Sequence, residues 1–169
     1  RYKYRDQGCD MNLLRLTKAA YYATISQIDY QVGRILDHLT IDEILDDTLI
    51  LFTSDHGELL GDFNSYGKRS FLDSASRIPL LVRYPERFST GIECEQPVSL
   101  IDVLPTCLNA AGQSTHPQHA GLDLAEIAND TMDREPVIGQ YSQGNRGLYA
   151  LISSDFKYIY SAADRKEWL

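Results

Sequence analysis

A long helical repeat runs almost directly into a short, unbroken apolar stretch, and few folds accommodate that succession. Between Leu13 and Leu39, the residues Tyr21, Ile25, Ile28, Val32, Ile35 and Leu39 recur at spacings of four, three, four, three and four. That spacing marks one face of an amphipathic helix. Arg15, Lys18, Gln27, Gln31 and Arg34 fall mostly off the stripe, and Tyr21, Tyr22 and Tyr30 read as helix core and rim. Glu43, Asp46 and Asp47 then form a short acidic connector, read as a solvated turn. "TLILF", Thr48 to Phe52, is rich in strand formers and shows no alternation, which predicts a strand buried on both faces, as in parallel sheets. "IPLLV", Ile78 to Val82, is a second such run, with Pro79 weakening it or moving it to a sheet edge. A helix followed by a buried strand is the rhythm of an α/β layered fold.

Further along, "SLIDVLPTCLNAAG" reads as a short helix from Ser99 to Gly112. Asp102 can cap its start, Pro105 falls in the first turn where a missing N–H costs nothing, and Gly112 can close its end. "QSTHPQHAGLDL" is loop-like. His116 and His119 have a proline between them and no cysteine or acidic partner nearby, so they read as a fortuitous pair rather than a metal site. "PVIGQY", "GLYALISS" and "FKYIYS" read as short strands, the last two joined by a hairpin at Ser153, Ser154 and Asp155. The expected organisation is an α/β portion over residues 1–112, then a small antiparallel β subdomain starting within residues 113–169.

The chain has 169 residues and a formal net charge of −8, with its Lys and Arg scattered. Phosphate binding needs a concentrated basic face, so nucleic acid and anionic membrane are disfavoured as partners. No apolar stretch approaches the ~20 residues of a membrane span. The three cysteines, Cys9, Cys94 and Cys107, stand far apart and form neither a disulfide framework nor a zinc motif, reading as buried or incidental thiols. The opening "RYKYRDQGCD" is polar and begins without Met, which reads as mid-protein sequence.

Chemistry concentrates where the first apolar run ends, in "TSDHG". In open α/β sheets, ligands bind beyond the carboxyl ends of the strands. Asp55 offers a hard anionic oxygen, and His56 a nitrogen that can ligate a metal or, when charged, donate a proton. Gly57 lets the loop turn sharply. Glu58 reads either as a further ligand or as a cap on a following helix. Lys68 is a compact ammonium suited to an oxyanion such as sulfate or phosphate. The same residues also fit a plainer description: a capping Asp, a buried His and a surface Lys.

"LFTSDHGELLGD", "YGKRSF" and "SASRIPLLV", in that order, resemble the C-terminal part of the type I sulfatases of the alkaline phosphatase superfamily. "YYATISQIDYQVGRIL" resembles the family's long helix before this strand. "SLIDVLPTCLNAAG" resembles a family helix, and "LYALISSDFKYIY" its terminal hairpin. The resemblance implies an alkaline-phosphatase-like mixed or parallel sheet layered with helices, followed by the small antiparallel subdomain. It implies that Asp55 and His56 ligate a divalent metal, calcium in most sulfatases, with manganese or zinc as alternatives. It gives Lys68 a catalytic role against the sulfate, places Arg69 between a structural and a substrate-facing role, and makes Arg77 structural. The family often carries His where Phe63 stands, so "GDFN" departs from the pattern.

The family nucleophile is a Cys or Ser in C/S-x-P-x-R, converted to formylglycine, and neither "CDMNL", "CEQPV" nor "CLNAA" fits it. The paired Asp ligands and the leaving-group His of the family are also missing. The resemblance therefore implies a piece of a sulfatase acting on sulfate esters, those of sugars included, whose missing N-terminal half is its partner and which is inactive alone and prone to self-association. Two alternatives stay open: a phosphonate monoester or phosphodiester hydrolase of the same superfamily, and a non-catalytic module retaining the scaffold. A periplasmic or secreted location is favoured by family resemblance only.

Overall fold

The computed structural model describes residues 2–3, 10–130, 132 and 134–169. The chain divides into two compact units, residues 1–48 with 52–81 and residues 49–51 with 82–169.

A two-residue strand, β1 (Tyr2–Lys3), precedes the long helix α1 (Met11–Ile41). Asp10 starts the helix, its Oδ1 accepting the N–H groups of Asn12 at 2.9 Å and Leu13 at 3.2 Å. Two donors that a helix start leaves without partners are thereby satisfied. The repeat correctly marks the helix, but the expected core face is not a core here. No residue of α1 is buried, and Tyr21, Ile25, Ile28 and Ile35 are all exposed. Among the described residues nothing covers that stripe.

β2 (Ile50–Thr53), β3 (Ser65–Tyr66), the single turn α2 (Asp73–Ser76) and β4 (Leu80–Arg83) follow. β1 and β3 pair antiparallel, and β2 hydrogen-bonds to β4 in a two-stranded sheet. The expectation of a strand buried on both faces is corrected: β2 is half-buried and Phe52 is exposed. A two-stranded sheet has only one paired edge per strand and no flanking layer to close its faces. Pro79 sits just outside β4, where its missing N–H is harmless, and its carbonyl accepts Thr53 Oγ1 at 2.8 Å.

In the second unit a 3-10 turn at Leu100–Asp102 leads into α3 (Val103–Ala110). Asp102 caps this start, with Oδ2 accepting Ser99 N–H at 2.7 Å, and it is also fully buried. Its Oδ1 accepts Leu122 N–H at 2.8 Å and Arg134 Nη1 at 2.7 Å. Gly112, at φ 68°, closes the helix with its N–H on Asn109 O. A further helix, α4 (Leu124–Ala128), starts at the last residue of the stretch expected to be loop and runs on where no element was expected. Asp123 caps it through Ala125 N–H at 2.9 Å and accepts Arg87 Nη2 and Asn109 Nδ2, each at 2.7 Å. Leu124, Ala125 and Ile127 of α4 are buried, Ile127 completely. Thr106 Oγ1 joins the two helices, donating to Asp102 O at 2.6 Å and accepting Leu124 N–H at 2.9 Å.

β5 (Val137–Tyr141), β6 (Leu148–Ile152), β7 (Lys157–Ser161) and β8 (Lys166–Trp168) form an antiparallel meander in chain order. Ser153 N–H on Phe156 O, 2.9 Å, closes the expected hairpin, and β8 extends the sheet by a strand the sequence reading lacked. Tyr149 and Tyr160 face each other across β6 and β7 with stacked rings. Cys94 and Cys107 are free and exposed rather than buried, and Cys9 lies outside the described residues. No helix among the described residues is long and apolar enough to cross a membrane.

Candidate active site

β2 ends at Thr53, and the next four residues turn back on themselves. Ser54 Oγ donates to His56 O at 2.7 Å, and Asp55 Oδ1 accepts His56 N–H at 3.0 Å. Gly57 N–H donates to Ala75 O, at the inner face of α2, at 2.8 Å. A Cβ on Gly57 would stand 2.1 Å from Ser74 O, so only glycine lets this backbone lie against α2.

These bonds aim three side chains at one point. The His56 ring sets Nδ1 against Gly57 O at 2.7 Å; a carbonyl only accepts, so Nδ1 donates there and Nε2 is the nitrogen turned toward the other side chains. Asp55 Oδ2 lies 3.2 Å from that Nε2. Lys68 Nζ contacts the same nitrogen and lies 4.0 Å from Asp55 Oδ2. The group opens to solvent, with side-chain exposures of 78% for Asp55, 35% for His56 and 51% for Lys68. An anionic oxygen and a basic nitrogen face one direction beside a fixed cation. Such an arrangement offers two donors to a metal ion and one positive charge to an oxyanion. His56 also presents the form metal-bound imidazoles take, with its second nitrogen donating to a backbone carbonyl.

The loop that carries Lys68 back to Asp55 is tightly built. Leu60, Gly61, Phe63, Asn64 and Gly67 all have positive φ. Gly61 packs so closely on Leu14 of α1 that a Cβ would come within 2.5 Å of Leu14 Cδ1. Asp62 Oδ2 accepts Ser74 Oγ at 2.6 Å, and Phe63 projects outward, 72% exposed. Glu58 is neither a third ligand beside Asp55 nor a helix cap. Its Oε1 accepts Leu60 N–H at 3.1 Å and Gly67 N–H at 2.5 Å. Gly67 at the close of a short loop is the signal that points to this role, because the amide it presents needs an acceptor nearby. Arg69 is exposed and has no hydrogen-bond partner among the described residues. Arg77 ends α2 through its N–H on Asp73 O at 2.9 Å, with an exposed side chain. His116 and His119 stay apart from this cluster in sequence, with ring centroids 6.1 Å from each other. No group of three or more His, Cys, Asp or Glu side chains fit to hold a metal ion occurs among the described residues.

A strand ending in an Asp-His-Gly turn, a lysine brought back by a tight loop and, later in the chain, an antiparallel meander define a segment of a sulfatase-type α/β fold. The chain belongs to the sulfatase family: the Sulfatase family model matches residues 4–113, and the model for N-sulphoglucosamine sulphohydrolase, C-terminal, matches residues 61–168. It is 35% identical to the choline-sulfatase of Rhizobium meliloti (strain 1021) over 159 residues, which are 91% of this chain and 31% of that protein. Solved structures share its fold, among them these two. BT4656, in complex with its substrate D-glucosamine-2-N,6-O-disulfate, is 28% identical with a TM-score of 0.73, over 87% of this chain and 32% of that one. The phosphonate monoester hydrolase of Agrobacterium radiobacter is 28% identical with a TM-score of 0.76, over 86% and 33%. The chain thus spans about a third of the length of the relatives it matches.

Proposed function

We propose that this chain is the C-terminal portion, with residues 1–112 in the α/β domain and 113–169 in the small subdomain, of an enzyme that hydrolyses sulfate esters. The observation that carries the reading is the convergence of Asp55, His56 and Lys68 at the end of β2. In this reading Lys68 donates its ammonium to a sulfate oxygen and opposes the negative charge that grows there as the ester bond breaks. Arg69, exposed beside it, supplies a second cation to the substrate. Asp55 and His56 hold a divalent metal, calcium in the first instance, with manganese or zinc as alternatives. When bound, such an ion polarises the ester as a Lewis acid. Two donors are a minority of the about six to eight that calcium takes. The remaining ligands and a formylglycine nucleophile are therefore assigned to polypeptide preceding this segment.

The test is hydrolysis of an aryl sulfate by the full-length polypeptide, beside Asp55→Ala and Lys68→Ala. Loss of about 100-fold or more in kcat/KM in both variants is expected; wild-type rates in either would remove the reading. Phosphonate monoester hydrolysis is the second reading, favoured by the likeness to the Agrobacterium radiobacter enzyme. A higher kcat/KM on a phosphonate monoester than on the aryl sulfate would select it.

A further inference from the structure

We propose that Glu58 is a positioning residue for Lys68, an inference that rests on the role given to Lys68 above. Glu58 Oε1 accepts two backbone N–H groups at once, from Leu60 at 3.1 Å and Gly67 at 2.5 Å. On the other side of the same glycine, Leu59 N–H donates to Gly67 O at 3.0 Å, and Leu59 is buried. Both polar groups of the residue just before Lys68 are therefore tied to the residues just after His56 and Gly57. Gly67 stands at φ 88°, and nothing lies within 4 Å of where its Cβ would be, so the backbone bonds of this clamp hold its conformation rather than a close contact at that point. The result is a closed circuit: His56, backbone to Glu58, its carboxylate to Gly67, then Lys68, whose Nζ returns to His56 Nε2. A long flexible lysine is otherwise free to sample many rotamers. Fixing its Cα relative to His56 confines the ammonium to the mouth of the site. Charged hydrogen bonds are the stronger kind, and a carboxylate on two amides suits that task.

The experiment is a double-mutant cycle on kcat/KM in the full-length enzyme, with Glu58→Ala and Lys68→Ala singly and together. Acting through Lys68, Glu58→Ala lowers kcat/KM about 10- to 100-fold when Lys68 is present, the scale of a misplacement near 1 Å. In the Lys68→Ala background it costs less than about 3-fold. Glu58→Gln keeps the accepting oxygen and stays within about 3-fold of wild type. Equal losses in both lysine backgrounds overturn the proposal, as does Glu58→Gln falling to the level of Glu58→Ala. If Glu58→Ala does not fold, Glu58→Asp takes its place in the cycle, since its shorter carboxylate cannot reach both amides. Wild-type activity of Lys68→Ala alone sinks the functional reading itself, whereas a defective Lys68→Ala with additive Glu58 effects sinks only the positioning.

Discussion

Gly57→Ala tests whether the turn against α2 builds the site. The added Cβ would lie 2.1 Å from Ser74 O, 3.0 Å from Ser74 C and 3.3 Å from Ala75 Cα. All three are backbone atoms, so no side chain can swing aside. Ordinary contact begins at 3.4 Å, so 3.4 − 2.1 leaves about 1.3 Å to be absorbed by moving either the 55–57 turn or α2. The Gly57 N–H to Ala75 O bond is the first to stretch. Overpacking of this kind costs about 1–3 kcal/mol, and a lost backbone hydrogen bond adds about 1 kcal/mol. At about 2–4 °C per kcal/mol for a chain of this size, Tm should fall by roughly 5–15 °C. The same shift displaces His56 and should lower kcat/KM of the full-length enzyme about 100-fold. Gly33→Ala is the control: a Cβ there meets nothing within 4 Å, so inside α1 it should stabilise by about 0.5–1 kcal/mol. Thermal melts followed by circular dichroism, with kinetics on the same variants, decide the matter. A Gly57→Ala protein melting within about 2 °C of wild type would show that the close approach does not constrain this turn.

Three further outcomes follow from the fold. Asp102→Ala removes the acceptor of Ser99, Leu122 and Arg134 and leaves a nearly buried guanidinium unpaired; a loss of about 3–5 kcal/mol is expected by urea denaturation, and a loss below about 1 kcal/mol would count against a buried anchor. Burial first, then the hydrogen bond and charge of Glu167, hold the Tyr158 hydroxyl above the usual tyrosine range. The native state keeps a proton that the unfolded chain releases, so this stability is whole below about pH 10 and is lost as pH rises beyond it; Tyr158→Phe should abolish that alkaline loss in melts at about pH 9 and 11. The uncovered stripe of α1 should make the isolated 169-residue chain self-associate and bind an apolar dye; sedimentation as a strict monomer without dye uptake would contradict the fragment reading.

How much of this was legible beforehand differs by element, for physical reasons. α1 announced itself because its repeat is long and a helix start needs an acceptor such as Asp10. The repeat could not say what would cover the stripe, since periodicity records an intended face and not its occupant. α4 was hidden by its brevity: five residues after a run of His, Pro and Gly leave no periodicity to read. The sign available was Asp123 with Glu126 three residues on, ahead of Ile127. β8 is short and highly exposed, so its three residues bear no alternating pattern.

The site divides along the same line. Asp55, His56 and Lys68 could be named from sequence because their chemistry is in their side chains. What joins them is backbone: Ser54 on His56 O, Gly57 on Ala75 O, Glu58 on Leu60 and Gly67. A pattern of residue types does not display hydrogen bonds between amides, so Glu58 looked like a ligand or a cap until its partners were known. Phe63 sharpens the point. Its φ of 55°, with Asn64 after it and Gly61 two residues before it also at positive φ, is a conformation that costs free energy for a side chain of its size. The loop tolerates it because Gly61 locks against Leu14, Asp62 holds Ser74 and Glu58 anchors both ends. The same three anchors that bring Lys68 to His56 therefore also force an aromatic ring outward. A change at position 63 that relaxes the backbone, such as Phe63→Gly, should leave the clamp intact while removing the exposed ring. Comparing Phe63→Gly with Glu58→Ala thus separates the surface the loop displays from the lysine it positions.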